Sequence, residues 1–475
     1  MIYFTQFIFG QENTTRSLRR ISLRILLVSP KSNFPDVTPG WLCIPQLPLS
    51  ILAALTPPEN EVVMVEEERE HLPLGENWDV VGISAMTATA PRAYEVASLF
   101  KQNGAKVILG GIHPSVLPQE AAQFADAVVV GEAEGVWEQV LHDARRNQLR
   151  KVYHNLQPDI SESPLPVRNK RRSIFGLPPY VMPIMFSRGC PNDCEFCCVH
   201  TVYGRRQRFL PIESIVQDIR RSGARKLLFL DDNIGGRRSY AMRLFHSLRP
   251  LNVTWLGQAT VNLILDDELF GAAVRSGLRG LFLGVESIEP EALRKMKKSL
   301  SSIELYEKAI RRCHAAGVAF HASLIFGLDE QTPHVFERTL DFLLRNSVPS
   351  ISANILTPYP GTRLFERFAR ERRILHTNWS YYDHTTVCYQ PRNMAPEELT
   401  EKYLDFRRKF FSYSSIIRRG YAQLRVAPLI YLGMNVAYRK TTRLLEEHYR
   451  EYFRWLRHQT VYPPQPLRSE PICKK

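Results

Sequence analysis

The sequence predicts an α/β protein made of two successive β/α series, a doubly wound parallel sheet followed by a partial barrel of six β/α units. Three observations carry this. Short apolar, β-branched runs that end in turn residues recur along the chain; segments of helical length lie between most of them; and one polar, proline-rich stretch divides the runs into two groups. Strands that alternate with helices imply parallel sheets covered on both faces.

In the first group, LRILLVSP (23–30), EVVMVE (61–66), DVVGIS (79–84), KVILGG (106–111) and DAVVVG (126–131) read as strands, and APRAYEVASLFKQNG reads as one of the intervening helices. Residues 23–145 are therefore expected to be one doubly wound domain with its ligand at the carboxyl ends of the strands. No G-x-G-x-x-G occurs, which argues against a dinucleotide. Residues 146–180, with prolines at 158, 164, 166, 178 and 179 and an RNKRR run, read as an aperiodic linker.

The second group comprises PIMFS (183–187), KLLFLD (226–231), VTWLGQ (253–258), GLFLGV (280–285), AFHASLIF (319–326) and ISANIL (351–356), spaced 25 to 40 residues apart. PIESIVQDIRRSG, DDELFGAAVRSG and SSIELYEKAIRRCHAAG are helical in pattern and fill the gaps. Six units make a partial (β/α) barrel over residues 181–370, because closure takes eight. Residues 371–475 form a basic, mainly helical region. Residues 1–22 have an apolar start without a preceding basic stretch or a small-residue cleavage site and read as a short extension.

At 475 residues the chain holds two or three domains with cores of their own, so disulfides are not needed for stability. No run approaches the roughly 20 apolar residues of a membrane-spanning helix. The net charge of +14 is concentrated at one end: residues 401–475 carry 16 Lys and Arg against 6 Asp and Glu. Basic and aromatic residues alternate there (FRRKFFSYSSIIRRGY, EYFRWLRHQ), which suits an anionic membrane surface or nucleic acid. The simpler reading is an amphipathic helix packed on the body with its basic face in water. No recognisable RNA-binding module accompanies the charge, so an RNA-binding or RNA-modifying role rests on charge alone.

Four of the eight cysteines fall within GCPNDCEFCC (189–198). Such a cluster in an otherwise Cys-poor chain points to a metal or redox site in a reducing, cytoplasmic setting. Cys190, Cys194 and Cys197 stand in C-x3-C-x2-C spacing, and three thiolates hold three irons of a 4Fe–4S cluster while leaving the fourth open. Zinc is the alternative; a structural zinc site takes four ligands, usually in two pairs. Cys198 reads as a small packing residue.

C-x3-C-x-Φ-C with Phe196 before its last cysteine, at the mouth of the first of six β/α units, resembles the signature of the radical S-adenosylmethionine (radical SAM) superfamily. The resemblance implies a [4Fe–4S] cluster whose open iron binds S-adenosylmethionine, giving a 5′-deoxyadenosyl radical that abstracts hydrogen from an unactivated carbon. It also implies that groups near S-adenosylmethionine lie in LFLDDN (228–233), where Asp231, Asp232 and Asn233 are candidates. Further ones lie in GVES (284–287), with Glu286 and Ser287, in SLIFGLDEQT (323–332) around Ile325, and in the LTPYPGT turn (356–362). On residue type alone, a strand-end acid serves equally to cap the next helix.

The doubly wound domain ahead of such a barrel resembles that of cobalamin-binding members of the superfamily. SPKSNF (29–34), GISAMTAT (82–89), LGGIHP (109–114) and VGEAE (130–134) are similar to their cobalamin loops, so Ser84, Thr87, Gly110, Gly111 and Glu132 are candidate contacts. Glycines let backbone approach a bulky ligand, and hydroxyls supply donors. D-x-H-x-x-G is absent, which implies cobalamin without a histidine on cobalt. Residues 372–419 resemble the region after the barrel in a subgroup that modifies lipids and other apolar substrates. The resemblance implies a cobalamin-dependent C-methyltransferase acting on a small, apolar molecule, a hopanoid-type or other isoprenoid lipid first and a tetrapyrrole or natural-product precursor second. The alternative is a non-methylating radical enzyme for ring closure, oxidation or carbon–carbon coupling. An electron donor such as flavodoxin or ferredoxin is expected, with peripheral membrane contact through the basic C-terminal region.

Overall fold

Runs of Val, Ile and Leu that are buried on both faces form parallel strands, because only a sheet flanked by helices on each side removes both faces from water. The computed structural model describes residues 22–32, 44–168, 181–296, 302–420 and 428–459. The expected extension up to residue 21, the end of the SPKSNF loop and part of the linker lie outside these residues.

The first group of runs forms β1 (Arg24–Ser29), β2 (Glu61–Glu66), β3 (Val80–Ser84), β4 (Lys106–Gly110) and β5 (Ala127–Gly131), and a further strand, β6 (Val152–Asn155), completes a parallel sheet in the order β2-β1-β3-β4-β5-β6. Leu26, Val81, Leu109 and Val130 face the helix Ala90–Gln102, while Ile25, Leu27, Ile108 and Val129 face Trp137 and Val140 of the helix Trp137–Arg145. The sheet is thus doubly wound, as expected. The chain turns back on its strand order between β1 and β3, and ligands of such sheets sit in the crevice outside that point.

β6 corrects the reading of 146–180 as aperiodic. It pairs with β5 from Val128↔Val152 to Gly131↔Asn155, yet as an edge strand it buries only Tyr153. One buried side chain in four leaves no alternation to detect.

The second group opens with β7 (Met182–Ile184), followed by a short antiparallel pair, β8 (Ser187–Arg188) with β9 (Arg208–Phe209). β10 (Lys226–Phe229), β11 (Thr254–Ala259), β12 (Leu278–Glu286), β13 (Ala319–Phe326) and β14 (Ser350–Ile355) then build a parallel six-stranded sheet in the order β14-β13-β12-β11-β10-β7. Side chains alternate across the strands. Leu281, Leu283 and Val285 of β12, Phe320 and Leu324 of β13, and Ile351 and Ile355 of β14 are buried. The opposite face carries Phe282 and Glu286, then His321 and Ser323, then Ser350, Ser352 and Asn354. There His321 bonds Ser350 at 2.9 Å and Ser352 at 2.8 Å, and Asn354 bonds Ser323 at 3.3 Å.

The basic tail folds into the helices Pro396–Phe410, Tyr413–Gly420 and Pro428–Arg457. Not all of its charge lies in water, contrary to the amphipathic-helix expectation. Arg407 and Arg419 are buried. The guanidinium of Arg419 donates to the carbonyls of Val348 (3.1 Å), Pro349 (2.7 Å) and Phe410 (2.8 Å) and to Asn435 (3.1 Å), and lies 3.7 Å from the centre of the Phe410 ring. Burial lowers its pKa to about 10. The charge sits inside because backbone carbonyls that no helix or strand satisfies need donors. Among the described residues, no helix is long and apolar enough to cross a membrane.

Arg419→Ala leaves those carbonyls without their donor and is expected to lower the unfolding free energy by about 3 kcal/mol. Exposed Arg418→Ala should change it by less than about 0.5 kcal/mol. Chemical denaturation of the two variants checks the contrast.

Candidate active site between the two sheets

The cysteine loop leaves β8 through Gly189, whose φ of 88° favours glycine and whose Cβ would lie 2.6 Å from the Arg206 carbonyl oxygen. Cys190 N–H donates to Gly204 O (3.3 Å) and Cys197 N–H to Cys194 O (3.2 Å). Cys190, Cys194, Cys197 and Cys198 take part in no disulfide, and each is partly buried. Burial pushes Cys197 up to about 12, so a metal must displace its proton for the sulfur to act as a ligand. Phe196 packs against the core beside them.

The far edge of the open barrel grips this loop. On the helix Arg363–Arg370, which follows β14, Arg363 donates to the Asp193 carbonyl and carboxylate, both at 2.8 Å, and Arg367 donates to Glu195 at 2.7 Å. Arg367 also reaches Asp329, in the loop after β13, at 2.8 Å. Among the described residues, no three His, Cys, Asp or Glu side chains converge as a single metal ion would require. A four-iron cube has a different demand, since each thiolate takes its own corner.

The polar residues after β10 divide. Asp231 is fully buried; one carboxylate oxygen accepts from Phe186 N–H (3.1 Å), Ser187 N–H (2.6 Å) and Ser187 Oγ (2.6 Å), and the other has no partner. Burial raises its pKa to about 7. Asp231 therefore fixes the turn between β7 and β8, a role nearer to the capping alternative than to a ligand contact. Asp232 is partly exposed, within electrostatic reach of Cys197 and Cys198, with its pKa raised to about 6 by burial. Asn233 is buried with its side-chain oxygen unpartnered.

At the end of β12 the pairing register with β13 shifts between Gly284 and Glu286, and Glu286 adopts φ 59°. Left-handed backbone at a residue other than glycine concentrates at functional sites. Ser287, just past the end of β12, and Ile325 on the neighbouring β13 meet through a residue to which the sequence assigned no role. Buried Gln331 donates to Ser287 Oγ (3.2 Å) and Ile325 O (3.0 Å) and accepts from Gly327 N–H (2.8 Å) and Leu328 N–H (3.1 Å). Its position four residues after a strand-end glycine is the only local signal.

The first-domain candidates occupy the carboxyl ends of β3, β4 and β5. Gly111 has φ 98°, and its Cβ would lie 2.6 Å from Ala85 O, so the loops after β3 and β4 rest on each other. Gly110 ends β4, Ser84 ends β3, Thr87 is buried, and Met86 beside it is 60% exposed. The Glu132 carboxylate is already engaged: Arg188 donates to it at 2.5 Å, and Arg208 lies 2.7 Å from its other oxygen. Glu134 also binds Arg188, at 2.8 Å through one of its two contacts. Arg188 immediately precedes Gly189, so this buried cluster ties the end of the first sheet to the root of the cysteine loop. A second tie joins Glu120 to Tyr94 (2.8 Å), His113 (3.2 Å) and Trp379 (3.1 Å). No periodicity marks Arg188, Glu134, Glu120 or Trp379, because each matters only through a partner far away in the chain.

The raised pKa of Asp231 has a defined sign. Below about pH 4 the carboxyl is protonated both folded and unfolded, and its contribution is fully present; as pH rises toward 7 the unfolded form ionises first and stability falls. Asp231→Asn removes that titration while keeping an acceptor oxygen. Urea melts should show the variant losing less stability than the wild type between pH 4 and 7; parallel curves would contradict a neutral buried Asp231.

The radical SAM superfamily model matches residues 184–343, and the B12 binding domain model matches residues 65–141. Bacteriochlorophyllide d C-12(1)-methyltransferase of Chlorobaculum tepidum is 31% identical over 408 residues, 83% of this chain and 88% of the relative. Bacteriochlorophyllide d C-8(2)-methyltransferase of the same organism is 27% identical over 82% of this chain and 90% of the relative. Hopanoid C-2 methylase of Rhodopseudomonas palustris is 26% identical over 75% of this chain and 72% of the relative. In fold, the chain is similar to the radical S-adenosylmethionine methyltransferase TsrM from Kitasatospora setae, solved with cobalamin and a [4Fe-4S] cluster bound. The TM-score is 0.66 at 15% identity, over 90% of this chain and all of that one.

Proposed function

Because this chain belongs to the cobalamin-dependent radical SAM methyltransferases, C-methylating enzymes that use a [4Fe–4S] cluster, S-adenosylmethionine and cobalamin, we propose that its substrate is a tetrapyrrole methylated at an unactivated carbon. The observation that supports a site with both cofactors is the contact of Arg188 with Glu132 and Glu134, which ties the root of the cysteine loop to the loop after β5. The residues present suit the cofactors. Three cysteines outside any disulfide, each with its own corner to fill, suit the cluster, and Gly110, where a Cβ would meet nothing nearer than Val129 at 3.9 Å, lets a bulky ring approach the backbone, while Gly111 serves to pack the loops after β3 and β4 together.

In this reading Cys190, Cys194 and Cys197 hold the cluster. Asp232, Asn233, Glu286, Ser287 and the backbone at Ile325 hold S-adenosylmethionine, with Phe196 beneath the loop. Ser84, Thr87, Gly110, Gly111 and the backbone at Glu132 surround cobalamin; the Glu132 side chain holds Arg188 instead. When bound, the cluster with S-adenosylmethionine supplies a hydrogen-abstracting radical, and cobalamin supplies the methyl group. Met86 and Leu230, exposed beyond β3 and β10, present apolar surface to a flat substrate.

A tetrapyrrole stands ahead of the hopanoid-type lipid first expected from the sequence, since the relatives of higher identity are bacteriochlorophyllide methyltransferases. Radical outcomes without methyl transfer fall behind for the same reason, and no feature beyond charge supports RNA. Reduction by flavodoxin or ferredoxin belongs to the same proposal. So does peripheral contact with an anionic membrane through the C-terminal helices, where Ile417, Arg418 and Leu432 are exposed.

Anaerobically reconstituted protein, given a bacteriochlorophyllide-type substrate and methyl-labelled S-adenosylmethionine, is expected to place the label in the product; unlabelled product overturns the proposal. Cys194→Ala should lose the cluster and all S-adenosylmethionine cleavage while retaining cobalamin in absorption spectra. Loss of both would assign Cys194 to folding.

A further inference from the structure

At the mouth of the barrel the loop after β14 carries Tyr359, and two residues later Gly361 meets both other parts of the site. Its carbonyl accepts from Thr201, on the helix that follows the cysteines, at 3.2 Å, and a Cβ on it would touch Val116 of the first domain. Beside Tyr359 stands His384, whose carbonyl accepts from Ile355 N–H, the last residue of β14, at 2.7 Å. His384 adopts φ 66°, and its side chain is exposed. Histidine is among the residues that enter this conformation more readily than others, but doing so still costs energy that the surroundings must offset.

The hydrogen bonds of this pair determine which imidazole nitrogen is open. Tyr359 has one hydroxyl hydrogen and donates it to the Tyr382 carbonyl at 3.1 Å. Its oxygen lies 2.9 Å from His384 Nε2, so Nε2 carries the proton and donates. Nδ1 then bears a lone pair and has no hydrogen-bond partner among the described residues. Burial of the surrounding structure holds the imidazole pKa below its ordinary value, which keeps it neutral. Asp383, the nearest carboxylate in sequence, is occupied by the amides and hydroxyls of Thr385 and Thr386. A neutral imidazole whose second nitrogen is oriented by a hydrogen bond is the usual form of a histidine metal ligand.

We propose that His384, oriented by Tyr359, is a substrate-binding residue that offers Nδ1 as axial ligand to the central magnesium of a tetrapyrrole. This rests on the tetrapyrrole reading above and deepens it. A saturated hydrocarbon polycycle has no group to accept the lone pair, whereas the magnesium of a chlorin accepts one perpendicular to the ring. Coordination at that point would hold the macrocycle by its centre and leave its peripheral carbons to face the cofactors.

The test uses reconstituted full-length protein titrated with a magnesium chlorin and with the same chlorin lacking metal, followed by visible absorption. The wild type is expected to bind the magnesium form about 10-fold or more tightly than the metal-free form, with the band shift of an added axial ligand. His384→Asn keeps a residue tolerant of positive φ and should abolish the preference and the shift while leaving metal-free binding unchanged. Added imidazole should restore the shift. Tyr359→Phe should reduce the preference about 10-fold, again without effect on the metal-free form. Equal wild-type affinity for the two chlorins overturns the axial role and leaves the tetrapyrrole reading standing. So does a His384→Asn loss shared equally by both forms, which would mark a structural residue. Failure of the wild type to bind either chlorin overturns the substrate reading itself.

Discussion

The buried contact of Arg188 with Glu132 and Glu134 is the constraint on which the site depends. Three charges removed from water are stable only together, since any one left alone carries a desolvation penalty of several kcal/mol. The cluster therefore holds β5 of the first sheet and β8 of the barrel to one separation; burial works against the charge of the guanidinium, and its contacts with the two carboxylates outweigh that and keep it charged. Because Arg188 directly precedes the cysteine loop, whatever fixes Arg188 also fixes the first cysteine. Arg208 extends the cluster along the strand paired with β8, so the loop is held at both ends.

A six-stranded barrel has two free edges, and here both are managed by side chains instead of strands. Arg363 and Arg367, one turn apart, reach from the β14 side to Asp193 and Glu195 in the loop that begins on the β7 side. The helix Pro428–Arg457 covers the β14 edge, from Asn435 against Pro349 to Tyr449 and Tyr452 against Thr385 and Val387. The strap that carries His384 is thereby pinned by the same helix. The basic tail thus serves the barrel before it serves any surface: Arg407 and Arg419 satisfy interior groups, while Ile417 and Arg418 are exposed.

Among the candidate ligands, residue type was a weaker guide than partner. Asp231 and Asp232 are adjacent and chemically identical, yet one is locked under Phe186 and Ser187 and the other opens toward the cysteines. Glu132 lies in a loop similar to those around cobalamin, but its carboxylate is engaged with two arginines from the other domain. Gln331, unremarkable in sequence, joins the ends of two strands. In each case the deciding atom belongs to a residue tens of positions away.

The periodic part of this protein was determined by its sequence alone. Eleven apolar runs became eleven strands, because burial of one or both faces imposes a composition that shows in a window of six residues, and the doubly wound and barrel-like halves follow from helix-length spacing. The spacing of Cys190, Cys194 and Cys197 was equally local. Only the tertiary structure decided what faces what: that β6 belongs to the first sheet, that Arg188 ties the two carboxyl ends together, that arginines of a basic tail lie inside, and that Tyr359 and His384 meet at the mouth. Ion pairs and hydrogen bonds between distant residues leave no period in a sequence, since their geometry exists only after the backbone has brought both partners to the same place.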